Sequence, residues 1–172
     1  FVQNVTTFEL FAPDETEVTS TLESDELFPS AAATVFLPWN QEVRLAWGKT
    51  AVRPDFRETS EQRFTDPVLD RIVRGNPDLV DGEITHYDLR WDKYLSPSEF
   101  VSLGVFYKDF TRPIEIFIRP GTDNIVSFQN AASAENFGFE AEIYKKLGFF
   151  GDFWQPFYIN ANFAYIESEV QL

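Results

Sequence analysis

The side chains suited to chemistry are few. His86 is the single histidine of a 172-residue chain that contains no cysteine. A histidine-based metal cluster therefore cannot form within the chain, and disulfides, cysteine-ligated zinc and thiol nucleophiles are excluded. Asp88 stands two positions after His86. On an extended strand such a pair shares a face, and a carboxylate beside an imidazole is one half of a general base. The sequence places no nucleophile near the pair, so His86 reads as a polar-face residue. Glu140 and Glu142 repeat the spacing at ~7 Å and imitate the carboxylate pair of sugar hydrolysis; charge on a wetted strand face is the simpler reading. Gly48-Lys49-Thr50 has the ending of a phosphate-binding loop, but that loop needs a glycine where Val43 stands, and it opens a helix. Here the triplet lies within a strand pattern. Asn4-Val5-Thr6 fits a glycosylation triplet, a pattern too short to carry weight. No enzyme activity, cofactor or metal is expected.

Composition narrows the class further. There are 28 acidic and 14 basic residues, a formal net charge of −14, which argues against a nucleic-acid partner, since that needs a basic footprint. Aromatic residues make up 17%, with 19 phenylalanines, a content suited to β structure with broad apolar faces or interfacial aromatic belts. No run of ~18 apolar residues is present to form a membrane helix. The chain contains no methionine and begins with Phe1, so it is expected to be a piece of a longer one, with any targeting segment outside it.

The element that must position these side chains is the stretch from Glu83 to Phe110. It reads as two long strands around Ser96-Pro97-Ser98. Tyr87, Leu89 and Trp91 alternate with His86, Asp88, Arg90 and Asp92, and after the turn Val101, Leu103, Val105 and Tyr107 again occupy odd positions. Strand side chains alternate faces with a period of two, so the hairpin has one greasy and one charged face. Comparable strands are predicted over 4–11, 31–37, 42–52, 125–129, 135–146 and 157–170, with the 100–110 strand running on through Arg112-Pro113 towards Ile118. The segment 13–26 holds six carboxylates and no cation; it is expected to be a solvated loop, either a plain charged surface or a cation-attracting rim. The segment 53–82 is expected to be a long irregular loop, stapled by its own Arg–carboxylate pairs or contacting a ligand.

Two regularities follow. Connections at 38–41, 96–99 and 148–156 are short, while those at 12–30, 53–82 and 112–134 are long. Short turns at one end and long loops at the other mark an outer-membrane barrel. The strands run ~10–14 residues, where a tilted membrane strand needs ~9–11 and a globular one ~5–6. Val43, Leu45, Trp47, Leu89, Trp91, Leu103, Val105, Phe137, Phe139, Ile159 and Phe163 are then the expected lipid-facing residues. Arg44, Asp88, Arg90, Asp92, Lys108, Glu140 and Glu142 are the expected lumen-facing ones. The alternative is a soluble or surface β-sandwich whose greasy faces bury one another and whose role is binding.

Several stretches resemble one known family. Leu27-Phe28-Pro29-Ser30, followed by the run from Glu42 through Arg44-Leu45-Ala46-Trp47-Gly48-Lys49-Thr50 to Arg53-Pro54, looks like a stretch in the latter part of TonB-dependent outer-membrane receptor barrels. Gly75-Asn76-Pro77-Asp78-Leu79 with Tyr87-Asp88-Leu89, Phe106-Tyr107-Lys108 with Pro113-Ile114, and Asn130-Ala131 with Gly138-Phe139-Glu140 resemble further signatures in the same order. Val80-Asp81-Gly82 departs from the family's Lys-Pro pair before a strand. The resemblance implies an all-β, antiparallel up-and-down transmembrane barrel of 22 strands, closed around an N-terminal plug. Residues 1–172 would form a partial barrel domain of about seven or eight strands, without plug, TonB box or final strand. It implies a location in the outer membrane of a Gram-negative bacterium and import of a large scarce nutrient: an iron chelate, cobalamin or a glycan. Its implied partners are outer-membrane lipid, the TonB complex and that ligand. The motif positions are implied to be structural, and no ligand-binding residue carries over.

Overall fold

A computed structural model describes residues 2–11, 17–66, 71–118 and 125–171. In chain order the strands are β1 (Val2–Phe11), β2 (Glu17–Glu26), β3 (Ser30–Leu37), β4 (Gln41–Val52), β5 (Arg63–Asp66), β6 (Arg71–Arg74), β7 (Gly82–Ser96), β8 (Glu99–Thr111), β9 (Ile114–Ile118), β10 (Val126–Asn130), β11 (Ser133–Lys146) and β12 (Tyr158–Gln171). A one-turn helix, α1 (Phe56–Thr59), precedes β5, and two 3₁₀ turns, Gly148–Phe150 and Asp152–Trp154, lie between β11 and β12. The chain forms two compact units, divided after Pro29, Arg53, Leu79, Glu115 and Gln129.

The larger unit is built on a six-stranded sheet in the order β12-β11-β8-β7-β4-β3, with every pairing antiparallel. The pairing keeps odd residues opposite odd residues except at Ser96↔Glu99, beside the β7–β8 turn. One row runs Val35, Val43, Trp91, Leu103, Ala141, Phe163, and the next runs Ala33, Leu45, Leu89, Val105, Phe139, Tyr165. The sheet is open, with β3 and β12 at its edges. The β3–β4 loop turns tightly because Trp39 and Asn40 adopt left-handed φ of 63° and 56°. Its carbonyls are captured from β7: Tyr94 N–H donates to Asn40 O at 2.9 Å, and Lys93 Nζ donates to Trp39 O. Register shifts once, between Tyr94 and Ser96, where the β7–β8 turn begins.

At the opposite end Asn130 ties three segments together. Its Oδ1 accepts Val80 N–H at 2.9 Å, and its Nδ2 donates to Val80 O and Arg112 O, both at 2.9 Å. Val80 leads into β7 and Arg112 leaves β8, so the amide fixes where this hairpin starts and stops. Arg112, at φ 53°, breaks the strand before Pro113. The expected run of one strand to Ile118 is therefore two strands, β8 and β9. A Cβ on Gly82 would lie 2.6 Å from Arg112 O, which is why this position holds glycine.

The smaller unit corrects two expectations. The acidic segment is not a loop over its whole length: β2 pairs with β1 from Val2↔Glu26 to Phe11↔Glu17. Val18, Thr19, Thr21 and Leu22 supply the strand propensity. Residues 12–16 lie outside the described residues. The region 53–82 is not irregular either. Asp55 caps α1 through a capping box with Glu58, and β5, β6, β10 and β9 form a four-stranded sheet in that order. Asn76 N–H donates to Glu58 O at 2.6 Å, and Asn76 Nδ2 donates to Phe128 O at 3.0 Å. A Cβ on Gly75 would meet Glu58 O and Ser60 N at 2.7 Å. The turn expected over 119–124 falls outside the described residues.

Removing the Asn130 amide deletes three hydrogen bonds at about 1 kcal/mol each. Asn130→Ala is expected to lower unfolding stability by ~2–3 kcal/mol. The check is the denaturant midpoint at unchanged slope. Asn130→Asp should fall as far, since a carboxylate cannot donate to the two carbonyls.

Candidate functional site

The even face of the six-stranded sheet carries the charges. Arg44, Asp88, Arg90, Asp92, Lys108, Glu140 and Glu142 all lie on it. Near the β3–β4 turn, four of them join one network with Glu42, Tyr94 and Ser102. Arg90 Nε donates to Asp92 Oδ1 at 2.9 Å and its Nη2 stands 3.7 Å from Glu142. Arg44 pairs with Glu42 and lies 4.0 Å from Asp92. Tyr94 Oη donates to Glu42 at 3.0 Å, and Ser102 Oγ donates to Asp92 at 2.5 Å. Asp92 is 3% exposed and Ser102 2%, so the carboxylate is buried and held by guanidinium and hydroxyl donors. Gly104 stands opposite both Arg90 and Glu140. Its missing side chain leaves a hollow of 290 Å³ floored by Arg90, Ser102, Glu142 and Asn162. Sequence reasoning named the charged members and missed Tyr94, Ser102 and Gly104. The register pairs Asp92 with both Glu42 and Ser102, but no pattern in the sequence states that register.

The candidates for catalysis separate. His86 Nε2 lies 2.8 Å from Thr50 Oγ1, so the Gly48-Lys49-Thr50 triplet serves a cross-strand contact, and Lys49 pairs with Glu83 at 3.2 Å. Among the described residues, no group of three or more His, Asp or Glu is arranged to hold a metal.

The odd face holds Val43, Leu45, Trp47, Leu89, Trp91, Leu103, Val105, Phe137, Phe139, Ile159 and Phe163. They do not bury one another beneath a second layer: Leu45 is 50% exposed, Phe137 50% and Phe163 58%. Charge is confined to the two ends of this face. The row Trp47, Tyr87, Tyr107, Phe137 closes the apolar band on one side and ends on β12 at Glu167, and Lys49, Asp109, Glu135 and Glu169 stand in the next row out. On the other side lie Lys93, Glu99 and Lys145. Lys145 Nζ donates to Glu99 Oε2 at 3.2 Å, and Lys146 N–H donates to Oε1 at 3.0 Å.

The family model for the TonB dependent receptor-like β-barrel matches residues 3–171. The chain belongs to the TonB-dependent receptor family. Among solved structures, the siderophore receptor PirA from Pseudomonas aeruginosa matches 88% of this chain and 27% of its own at a TM-score of 0.66 and 16% identity. A double mutant of the Serratia marcescens hemophore receptor HasR, in complex with its hemophore HasA and heme, matches 83% of this chain and 29% of its own at 0.51 and 12% identity. The chain thus spans less than a third of either receptor. No curated protein matches it. In this receptor chain the residues that carried the family resemblance, Gly75, Asn76 and Asn130, are backbone clasps.

Glu99 stands beyond the apolar band, at the β7–β8 turn. The Lys145 ammonium, then the Lys146 N–H, hold its carboxyl below the usual carboxylate range. A depressed folded pKa adds stability that is complete above the ordinary value of ~4.3 and is lost as pH falls through the folded value. Acidification below that ordinary value is expected to weaken the wild-type fold more steeply than Glu99→Gln. Parallel slopes of unfolding stability against pH would remove Glu99 as a contributor.

Proposed function

We propose that this chain is a wall segment, and residues 1–172 a partial barrel domain, of an outer-membrane TonB-dependent transporter. The whole receptor imports a large scarce nutrient, such as an iron chelate, cobalamin or a glycan. Its energy is delivered by the TonB complex to a region outside this chain. The odd face meets lipid and the even face lines the lumen.

One observation carries this reading: a central band on one face of six in-register strands that is free of charge on the five strands β3, β4, β7, β8 and β11 and is entered on β12 only at its margin, by Glu167. Ten residues separate Glu99 from Asp109 on β8, and likewise Lys145 from Glu135 on β11. At ~3.3 Å per residue and a tilt of ~40°, that span rises ~25 Å, the height of the apolar band of an outer-membrane barrel. The sandwich alternative draws no support from a sheet whose apolar face stays exposed. On the lumen side, the Arg44–Asp92–Arg90–Glu142 network gives the wall a stiff polar surface of both signs, suited to a wet interior.

The facing is tested by two neighbours on β7. Leu89→Arg places a charge at mid-band and should cost ~2–4 kcal/mol in a barrel-folding assay in lipid, while Arg90→Leu should be mild. Equal costs, or the reverse order, would sink the assignment.

A further inference from the structure

The four-stranded sheet ends on β9, a strand with none of the chemistry that usually guards an edge. β9 pairs on one side with β10, and at its foot Pro113 O accepts Ala131 N–H at 2.8 Å. Among the described residues no strand lies on its other side. Natural edge strands are commonly protected by lysine or proline within the strand. β9 reads Ile114-Glu115-Ile116-Phe117-Ile118 and contains neither. Together with Val126–Asn130 of β10 it carries one charge, in a chain where 24% of the residues are charged. Ile116 is 63% exposed and Ile118 49%. High β propensity, little charge and no glycine or proline are the marks of a strand that recruits another strand.

Two features decide which strand fits. A row of alternating N–H and C=O groups is answered only by another extended backbone. And β9 is complementary to itself. Turned antiparallel about Ile116, a second β9 sets Ile116 opposite Ile116, Ile114 opposite Ile118 and Glu115 opposite Phe117. No two carboxylates meet. A parallel arrangement in register would set Glu115 opposite Glu115, which is unfavourable. The antiparallel pairing uses the same edge in both copies, so it closes as a twofold pair and does not propagate.

We propose that β9 is an interface between two copies of the receptor: their β9 strands pair antiparallel about Ile116 and join two four-stranded sheets into one of eight strands. The inference goes beyond the transport reading and does not depend on which face of the six-stranded sheet meets lipid. The net charge of −14 on each copy of this segment opposes their approach. Salt screens that repulsion, so the pair tightens as ionic strength rises. A strand from a cationic partner protein would instead bind more weakly in salt.

The test uses the complete receptor in detergent, carrying a single cysteine on β9. Residues opposite one another in an antiparallel pair have Cα atoms ~4.5–5.5 Å apart, within the reach of a disulfide. Ile116→Cys should therefore cross-link to itself under mild oxidation. Ile114→Cys alone and Ile118→Cys alone should not, because like positions then lie ~13 Å apart along the strands, whereas a mixture of the two should. Cross-linking of position 114 to itself as readily as position 116 marks random collision and overturns the pairing. Sedimentation reads the affinity without cysteines. Ile116→Lys brings two ammonium groups together on the twofold axis and should raise the dissociation constant of the pair about tenfold. Heat-modifiable gel mobility checks that the barrel of each variant is folded. A folded wild-type receptor that sediments as a monomer at every concentration overturns the proposal. So does a dimer that Ile116→Lys leaves unchanged, or one that loosens as salt is added.

Discussion

The structure depends on register. Six strands pair so that, away from the β7–β8 turn, odd residues meet odd residues, from Ala33 on β3 to Tyr165 on β12. A slip of one residue at any seam would turn the strands beyond it inside out, moving Leu89 or Phe139 into the charged face and Arg90 or Glu140 into the apolar one. The sheet cannot rely on a packed core to prevent this. The buried apolar side chains among the described residues are Val73, Leu79, Val126, Ala131 and Ala134, none of them aromatic. Phase must be set by backbone pairing and by devices at the strand ends.

Those devices are visible. At the turn end, Tyr94 and Lys93 hold the β3–β4 loop against β7, and Glu99, at the start of β8, pairs with Lys145 on the neighbouring β11. At the other end, Asn130 fixes Val80 and Arg112 at the two feet of the central hairpin. Between these ends the buried Asp92 gathers Arg90 and Ser102 from neighbouring positions. A lone carboxylate buried this deeply would be costly; its donors make it a register pin, since Ser102 reaches Asp92 only in the observed pairing.

How much of this was legible follows from how each feature is encoded. The hairpin from Glu83 to Phe110 was legible because a period of two is a local signal, and which of its residues share a face followed from it. β2 was hidden because Glu23, Asp25 and Glu26 outweigh Val18 and Leu22 in any reading by charge. The β5–β6–β10–β9 sheet was hidden because its strands are four or five residues long and separated in sequence, so their partners cannot be inferred from local pattern. The break at Arg112 depends on a left-handed φ that no neighbouring glycine announces. The roles of Tyr94 and Ser102 needed the register itself. The expected seven or eight long strands are present among the described residues as β1, β2, β3, β4, β7, β8, β11 and β12, and the short β5, β6, β9 and β10 come in addition.

The two margins of the main sheet have a consequence for biogenesis. Among the described residues β3 and β12 are the edge strands of the six-stranded sheet, and in hydrocarbon every peptide group left unbonded costs several kcal/mol. On the proposed lipid-facing reading, the segment cannot enter a bilayer strand by strand and wait there. Its margins must be shielded by neighbouring staves or by an assembly factor until the ring is sealed, so that entry into the membrane and closure become a single cooperative event.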